Sequence, residues 1–195
     1  VAVGQGSLDS NTTGGTNTTV GHDSMKSNTI GAQNVAVGKA ALNANTTGDS
    51  NVALGRSALV LSTTGGYNTA IGYQALAANT TGDQNTAVGY YALKSNTTGI
   101  YNGAFGRFGL YSNTTGNNNT SLGRNSLYGV TTGSNNIGIG LDSGRGGSPS
   151  GNITTQSNRM CLGNNSITNA YVKVDWTVGS DERDKSDITD FTHGL

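Results

Sequence analysis

A chain of 195 residues has room for about one or two ordinary domains, yet Val, Leu, Ile and Phe make up fewer than one residue in five, below the ~20% that marks chains poor in core-forming groups. Formal net charge is zero and only 11% of residues are charged, which removes the electrostatic basis for binding nucleic acid or an anionic membrane. No apolar run approaches the ~18 residues of a membrane span, and the single Cys161 offers neither a disulfide framework nor a metal cluster; it reads as a small buried hydrophobe.

From Val1 the chain repeats a 17-residue unit, with eight full copies to Asn136 and a degraded ninth from Ile137 to Asn152. One clean copy, Thr86 to Asn102, reads TAVGYYALKSNTTGIYN. The period is too short for a helical repeat and suits one turn of a β-solenoid. Position 4 is Gly in every copy (Gly4 through Gly140), and position 14 is Gly from Gly14 to Gly133. Periodic glycines indicate positive φ or a close backbone approach, so two corners per turn are expected. Position 3 is always large and apolar (Val3, Val20, Val37, Leu54, Ile71, Val88, Phe105, Leu122, Ile139), and position 8 is Leu, or Met25, until Gly144. Both are expected in the core, with the small residues of positions 2 and 7 at a contact between chains, because one thin coil leaves a side poorly covered.

Positions 11 to 14 read Asn-Thr-Thr-Gly with small departures (Ser62, Val130), which is turn chemistry with Gly at a left-handed corner. Position 17 is Asn from Asn17 to Asn136, and stacked Asn predicts an amide ladder along the coil. The lattice regularity favours that structural role over glycosylation of the same tripeptides. Adjacent Thr-Thr pairs should point to opposite faces, which argues against a flat ice-binding surface.

Charged residues do not assemble a catalytic pair: Asp9, Asp49 and Asp83 are scattered over positions 9 and 15. His22, Asp23 and Asp142 lack ligand spacing, so no metal and no cofactor is expected. The aromatic residues concentrate in the variable positions. Tyr73 and Tyr90 occupy position 5, Tyr91 and Phe108 position 6, Tyr111 and Tyr128 position 9, and Tyr67 and Tyr101 position 16. Aromatics on a polar rod either stack on sugar rings and anchor partners, or pack along a groove between chains; these eight are the candidates for receptor contact.

Beyond Ile137 the grid decays. Leu141 to Gly151 holds the only proline, Pro149, and is expected to be the exit from the solenoid. Arg159 to Gly163 and Ala170 to Val178 read as short strands, with Trp176 as a core anchor. The densest charge run follows from Ser180 to Ile188. The organisation expected is therefore a repeat shaft over 1–152, a β cap or neck over 153–179, and a further segment from 180 to 195. A start without Met and an end without a closing element suggest a piece of a longer protein.

Two resemblances bear on function. The units Asn68-Thr69-Ala70-Ile71-Gly72 and Asn85-Thr86-Ala87-Val88-Gly89 resemble the head repeats of trimeric bacterial adhesins and the collar-like repeats of phage tail fibres. That resemblance implies an all-β, trimeric parallel β-solenoid (a β-roll or triple β-helix), whose partners are two further copies of itself. The stretch from Asn158 to Lys185, with Asn158-Arg159-Met160, Ala170-Tyr171-Val172 and Trp176-Thr177-Val178-Gly179-Ser180-Asp181, resembles the start of the self-cleaving intramolecular chaperone of phage tail spikes and fibres typified by endosialidases. It implies cleavage between Gly179 and Ser180, with Ser180 as nucleophile and Lys185 as base. A Ser–Lys pair requires a desolvated, neutral Lys, whereas Asp181, Glu182 and Asp184 favour its charged form, so folding has to point those carboxylates elsewhere.

Together the resemblances imply a structural and receptor-binding segment of a virion tail fibre or spike. Its further partners would be a host cell-surface glycan or protein and other tail proteins, without nucleic acid and without membrane insertion. The alternative is the head of a trimeric adhesin on a bacterial cell surface.

Overall fold

The computed structural model of the chain describes residues 1–148 and 150–167. The expected strand around Tyr171 and the core anchor Trp176 lie outside the described residues. Each turn contributes one three-residue strand at positions 1 to 3, apart from the two-residue first strand. In order these are β1 (Ala2–Val3), β2 (Thr18–Val20), β3 (Val35–Val37), β4 (Val52–Leu54) and β5 (Thr69–Ile71). They continue as β6 (Thr86–Val88), β7 (Gly103–Phe105), β8 (Thr120–Leu122), β9 (Ile137–Ile139) and β10 (Met160–Leu162). The ten form one parallel sheet in sequence order, and the described residues contain no helix. The parallel β-solenoid of 17-residue turns read from the sequence is the observed fold.

Which residues fill the coil differs from expectation at position 3. Along each strand after β1 position 2 is buried and its neighbours are not, because successive side chains alternate across a strand. Ala36, Ala53, Ala70, Ala87 and Ala104 therefore point inward, while Val20, Leu54, Phe105, Leu122 and Ile139 stand on the outside of the sheet. The small residues of positions 2 and 7 are interior rather than at a contact between chains. The one large group per turn inside is position 8: Met25, Leu42, Leu59, Leu76, Leu93, Leu110 and Leu127 are fully buried. Where position 7 is Ser, its hydroxyl is satisfied internally, as in Ser24 Oγ donating to Ala36 O at 2.9 Å.

The backbone is left-handed at four points per turn rather than two. Gly at position 4 is one; Gly89 has φ 143, and a Cβ there would sit 2.5 Å from Gly106 O of the next turn. The others carry side chains, with φ of 48 to 52 at the position-8 residues, 52 to 59 at position 6 and 55 to 61 at position 16. Each such residue costs about 1–2 kcal/mol in an isolated chain. What compensates is stacking: Ala40 N donates back to His22 O at 2.9 Å and Leu42 N forward to Ala58 O at 2.9 Å. Burial of the position-8 side chain adds roughly 1.5–3 kcal/mol. Position 14, expected to be a left-handed corner, has no positive φ. Its glycine is required by close approach alone, since a Cβ on Gly82 would lie 2.5 Å from Gly99 O.

Two buried asparagine ladders run the length of the rod. At position 17, Asn85 Nδ2 donates to Asn68 Oδ1 at 3.2 Å and to Gly99 O at 2.8 Å, and Asn85 Oδ1 accepts from the backbone and side chain of Asn102 at 3.0 and 3.1 Å. This ladder matches the sequence reading. Position 11 forms a second one: Asn45 Nδ2 donates to Asn28 Oδ1 at 2.7 Å and to Gly48 O at 3.0 Å. It is broken at its two substituted positions. Ser62 is too short to reach and Val130 has no donor, leaving Asn45 Oδ1, Ser62 Oγ and Asn113 Oδ1 buried without partners among the described residues.

The coil does not end at Leu141 to Gly151. β10 pairs with β9 in parallel, Met160 against Ile137, at a spacing of 23 residues instead of 17. Six extra residues are accommodated as a loop, after which Thr131 N meets Thr154 O at 2.7 Å and Arg159 N closes the Asn ladder on Asn136 Oδ1 at 3.0 Å. Cys161 is buried inside this last turn, as a small hydrophobe would be.

Ser62→Asn, which gives Asn45 and Asn79 their missing neighbour, is expected to raise stability by about 1 kcal/mol, read as a higher urea midpoint at unchanged slope. Asn85→Ala is expected to lower it by about 1–3 kcal/mol, because it strands the Asn102 N–H in the interior.

Candidate functional site

The sheet occupies positions 1 to 3, and the Gly corner at position 4 carries the chain off it into positions 5 to 9. In turns 5 to 8 six of the side chains there are aromatic, and the 17-residue register sets them above one another in pairs. Tyr73 and Tyr90 stack with centroids 5.4 Å apart and planes 15° from parallel. Tyr91 and Phe108 follow at 5.7 Å and 18°, and Tyr111 and Tyr128 at 5.0 Å and 6°. Edge contacts join the three pairs into one strip: Tyr90 meets Tyr91 at 4.2 Å, and Phe108 meets Tyr111 at 5.5 Å. Each pair adds ~0.5–1.5 kcal/mol beyond its buried area. Tyr90 is exposed and the other five rings are half-buried, so the strip presents an aromatic surface to solvent.

The strip is rimmed by cations that reasoning from net charge passed over. Lys94 Nζ lies 4.5 Å from the Tyr91 centroid and 5.6 Å from that of Tyr111. The Arg107 guanidinium carbon sits 4.7 Å over Phe108, Arg145 4.8 Å over Tyr128 and Arg56 5.8 Å over Tyr73. Sorting charged residues by repeat position finds them: Lys39, Arg56, Arg107 and Arg124 all occupy position 5, and Lys94 occupies position 9. At the far end Arg145 donates to Asp142 at 2.8 Å and borders an open recess of about 390 Å³ shared with Gly146, Gly147 and Asn164. Asn125 Nδ2 also donates to Asp142 Oδ1 at 2.8 Å; this bond, aided by Arg145 and opposed by partial desolvation, holds the carboxyl below the usual range.

The eight aromatic candidates thus separate. Six form the strip. Tyr67 and Tyr101 stand apart at position 16, both exposed and with Gln84 between them in the stack, where Gln84 Nε2 donates to Tyr101 Oη at 3.2 Å. His22, Asp23 and Lys26 form a surface ion-pair group at 2.9 and 3.1 Å, and no cluster of three metal-ligating side chains occurs among the described residues. Ser180, Lys185 and the Gly179–Ser180 bond lie outside the described residues. Among those residues no helix is long and apolar enough to cross a membrane.

Comparison of the chain with family models, with curated proteins and with solved structures gave no match.

The strip also has a titration signature. Hydrogen bonding to Tyr90 first, then partial desolvation and the closeness of the Tyr90 and Tyr73 phenols, push the Tyr91 phenol up to about 12. A raised folded-state value favours the protonated phenol, so its contribution to stability is complete below the ordinary tyrosine value of ~10 and fades as pH rises from there to about 12. Ultraviolet tyrosinate titration is expected to show a late step near pH 12 that Tyr91→Phe removes.

Proposed function

We propose that the chain is the shaft of a homotrimeric phage tail fibre or spike that presents a host-recognition surface, and that residues 180–195 begin a chaperone which matures the fibre by self-cleavage before Ser180. The observation that carries the reading is the outer face of the sheet. Val20, Leu54, Phe105, Leu122 and Ile139 stand 39 to 52% exposed in one straight file. With strands ~4.8 Å apart, nine turns extend that apolar file over roughly 40 Å. A contiguous exposed patch on this scale marks an interaction surface. Parallel copies related by a cyclic axis cover it with the same face of each, which suits a rod whose interior is already filled by its own residues.

The number three rests on the resemblance to trimeric fibre and adhesin repeats, and the cleavage on the resemblance of the Asn158 to Lys185 stretch to the self-cleaving chaperone. Loss of that chaperone after assembly would make the fibre's durability kinetic, because the mature chains could not refold without it.

Native mass spectrometry of the full gene product is expected to give three copies. Leu54→Asp with Leu122→Asp should give a single copy with unchanged far-ultraviolet circular dichroism, since both side chains lie outside the coil. A monomeric wild type, or a double variant that stays trimeric, sinks the assembly reading. On denaturing gels the wild type should yield a fragment ending at Gly179 that Ser180→Ala abolishes; wild type without that fragment sinks the cleavage reading.

A further inference from the structure

The chain is neutral as a whole, but the fold sorts its charges by position along the turn. From Lys39 to Arg145, positions 5, 6 and 9 carry six cations and a single carboxylate, Asp142. The carboxylates of position 15 are used elsewhere: Asp49 accepts from Ala32 N at 2.6 Å and Asp83 from Gly66 N at 2.7 Å, each tying one turn to the next. Among the described residues only His22, Lys26 and Arg145 belong to an ion pair, which leaves Lys39, Arg56, Lys94, Arg107 and Arg124 outside any such pair. The stacking register converts a neutral sequence into a rod with one strongly basic, aromatic side.

We infer that this side, from Arg56 to Arg145, is a docking strip for a linear anionic polysaccharide. The inference rests on the reading of the chain as a recognition fibre and supplies the chemical class that the fibre would recognise. Three features select the ligand. The rings form a continuous half-exposed surface whose open edges, rather than ring faces, can meet the C–H groups of sugars, and the tyrosine hydroxyls give hydrogen-bond partners to sugar hydroxyls. Turns 4, 6, 7, 8 and 9 each place one cation along this side, so an extended chain of carboxylates meets them in sequence. The strip also follows the position-4 corner and lies off the sheet, so the apolar outer file can be covered by other copies while the strip stays open.

Single-stranded nucleic acid shares the charge but fits less well. Its bases need ring faces free to stack on, whereas here the tyrosine and phenylalanine faces are already packed against one another at 5.0 to 5.7 Å. At the Arg145 end the strip meets an open recess of about 390 Å³, whose lining also includes the Asp142 carboxylate.

The test is affinity electrophoresis of the full chain in native gels containing dextran, carboxymethyl-dextran or alginate, with oligo-dT as competitor. Retardation by carboxymethyl-dextran and alginate but not by dextran is expected. Lys94→Gln with Arg107→Gln should weaken it by roughly tenfold and flatten its salt dependence. Tyr111→Leu with Tyr128→Leu should weaken it while leaving the salt dependence unchanged, and circular dichroism of both variants should match wild type. Equal retardation by plain dextran, no retardation by either polyanion, unaffected binding by the charge variant, or tighter binding of oligo-dT than of alginate each overturns the proposal. Native mass of the same samples keeps the two readings separate: a monomer that binds alginate overturns the trimer and leaves the strip standing.

Discussion

Everything in this molecule depends on turns stacking at one fixed spacing. The strands are at most three residues long, the interior holds one or two large apolar side chains per turn, and as many as three residues besides glycine sit in left-handed backbone in each turn. No single turn has the interactions to hold that conformation by itself. The neighbouring turns hold it, through backbone hydrogen bonds on both sides of each left-handed residue and through the two asparagine ladders. Stability is therefore a sum over nearest-neighbour interfaces, and a fault such as Ser62 is local: the position-11 ladder breaks there and resumes a turn later, whereas Val130 ends it.

The same constraint explains why the interior is so polar. A coil this narrow has no room for a conventional core, so amides that would be costly if buried alone are placed where the identical amide of the next turn satisfies them. Asn at positions 11 and 17 brings its donor and acceptor into line with neighbours 17 residues away, and Gly at position 14 lets the carbonyls that receive them come close. The longer ninth turn follows the rule as well. After its six added residues the register is recovered at Thr154, Asn158 and Cys161.

A filled interior moves the question of function to the outside. The outer file of position 3 offers a repeating apolar face suited to other copies of the chain. The positions after the Gly corner offer a second face of different chemistry, aromatic and basic. The two occupy different parts of the turn.

Much of this was legible in the one-dimensional pattern, because a strict period forces equivalent residues into equivalent places. The coil, its parallel order, the position-17 ladder and the place of the variable aromatics all follow from counting in steps of 17. What counting could not decide was direction. Whether position 2 or position 3 points inward depends on how the strand is set on the coil, and alternation is satisfied either way; the structure chose Ala inside and the larger residue outside. The zero net charge concealed a basic face, since a sum over the chain discards position. The sequence by itself thus determined the repeat, the fold class and the spacing at which like residues meet. Only the tertiary structure decided which of those files are core, which are surface and which residues share the aromatic strip, because facing and contact come into being when one turn is laid on the next.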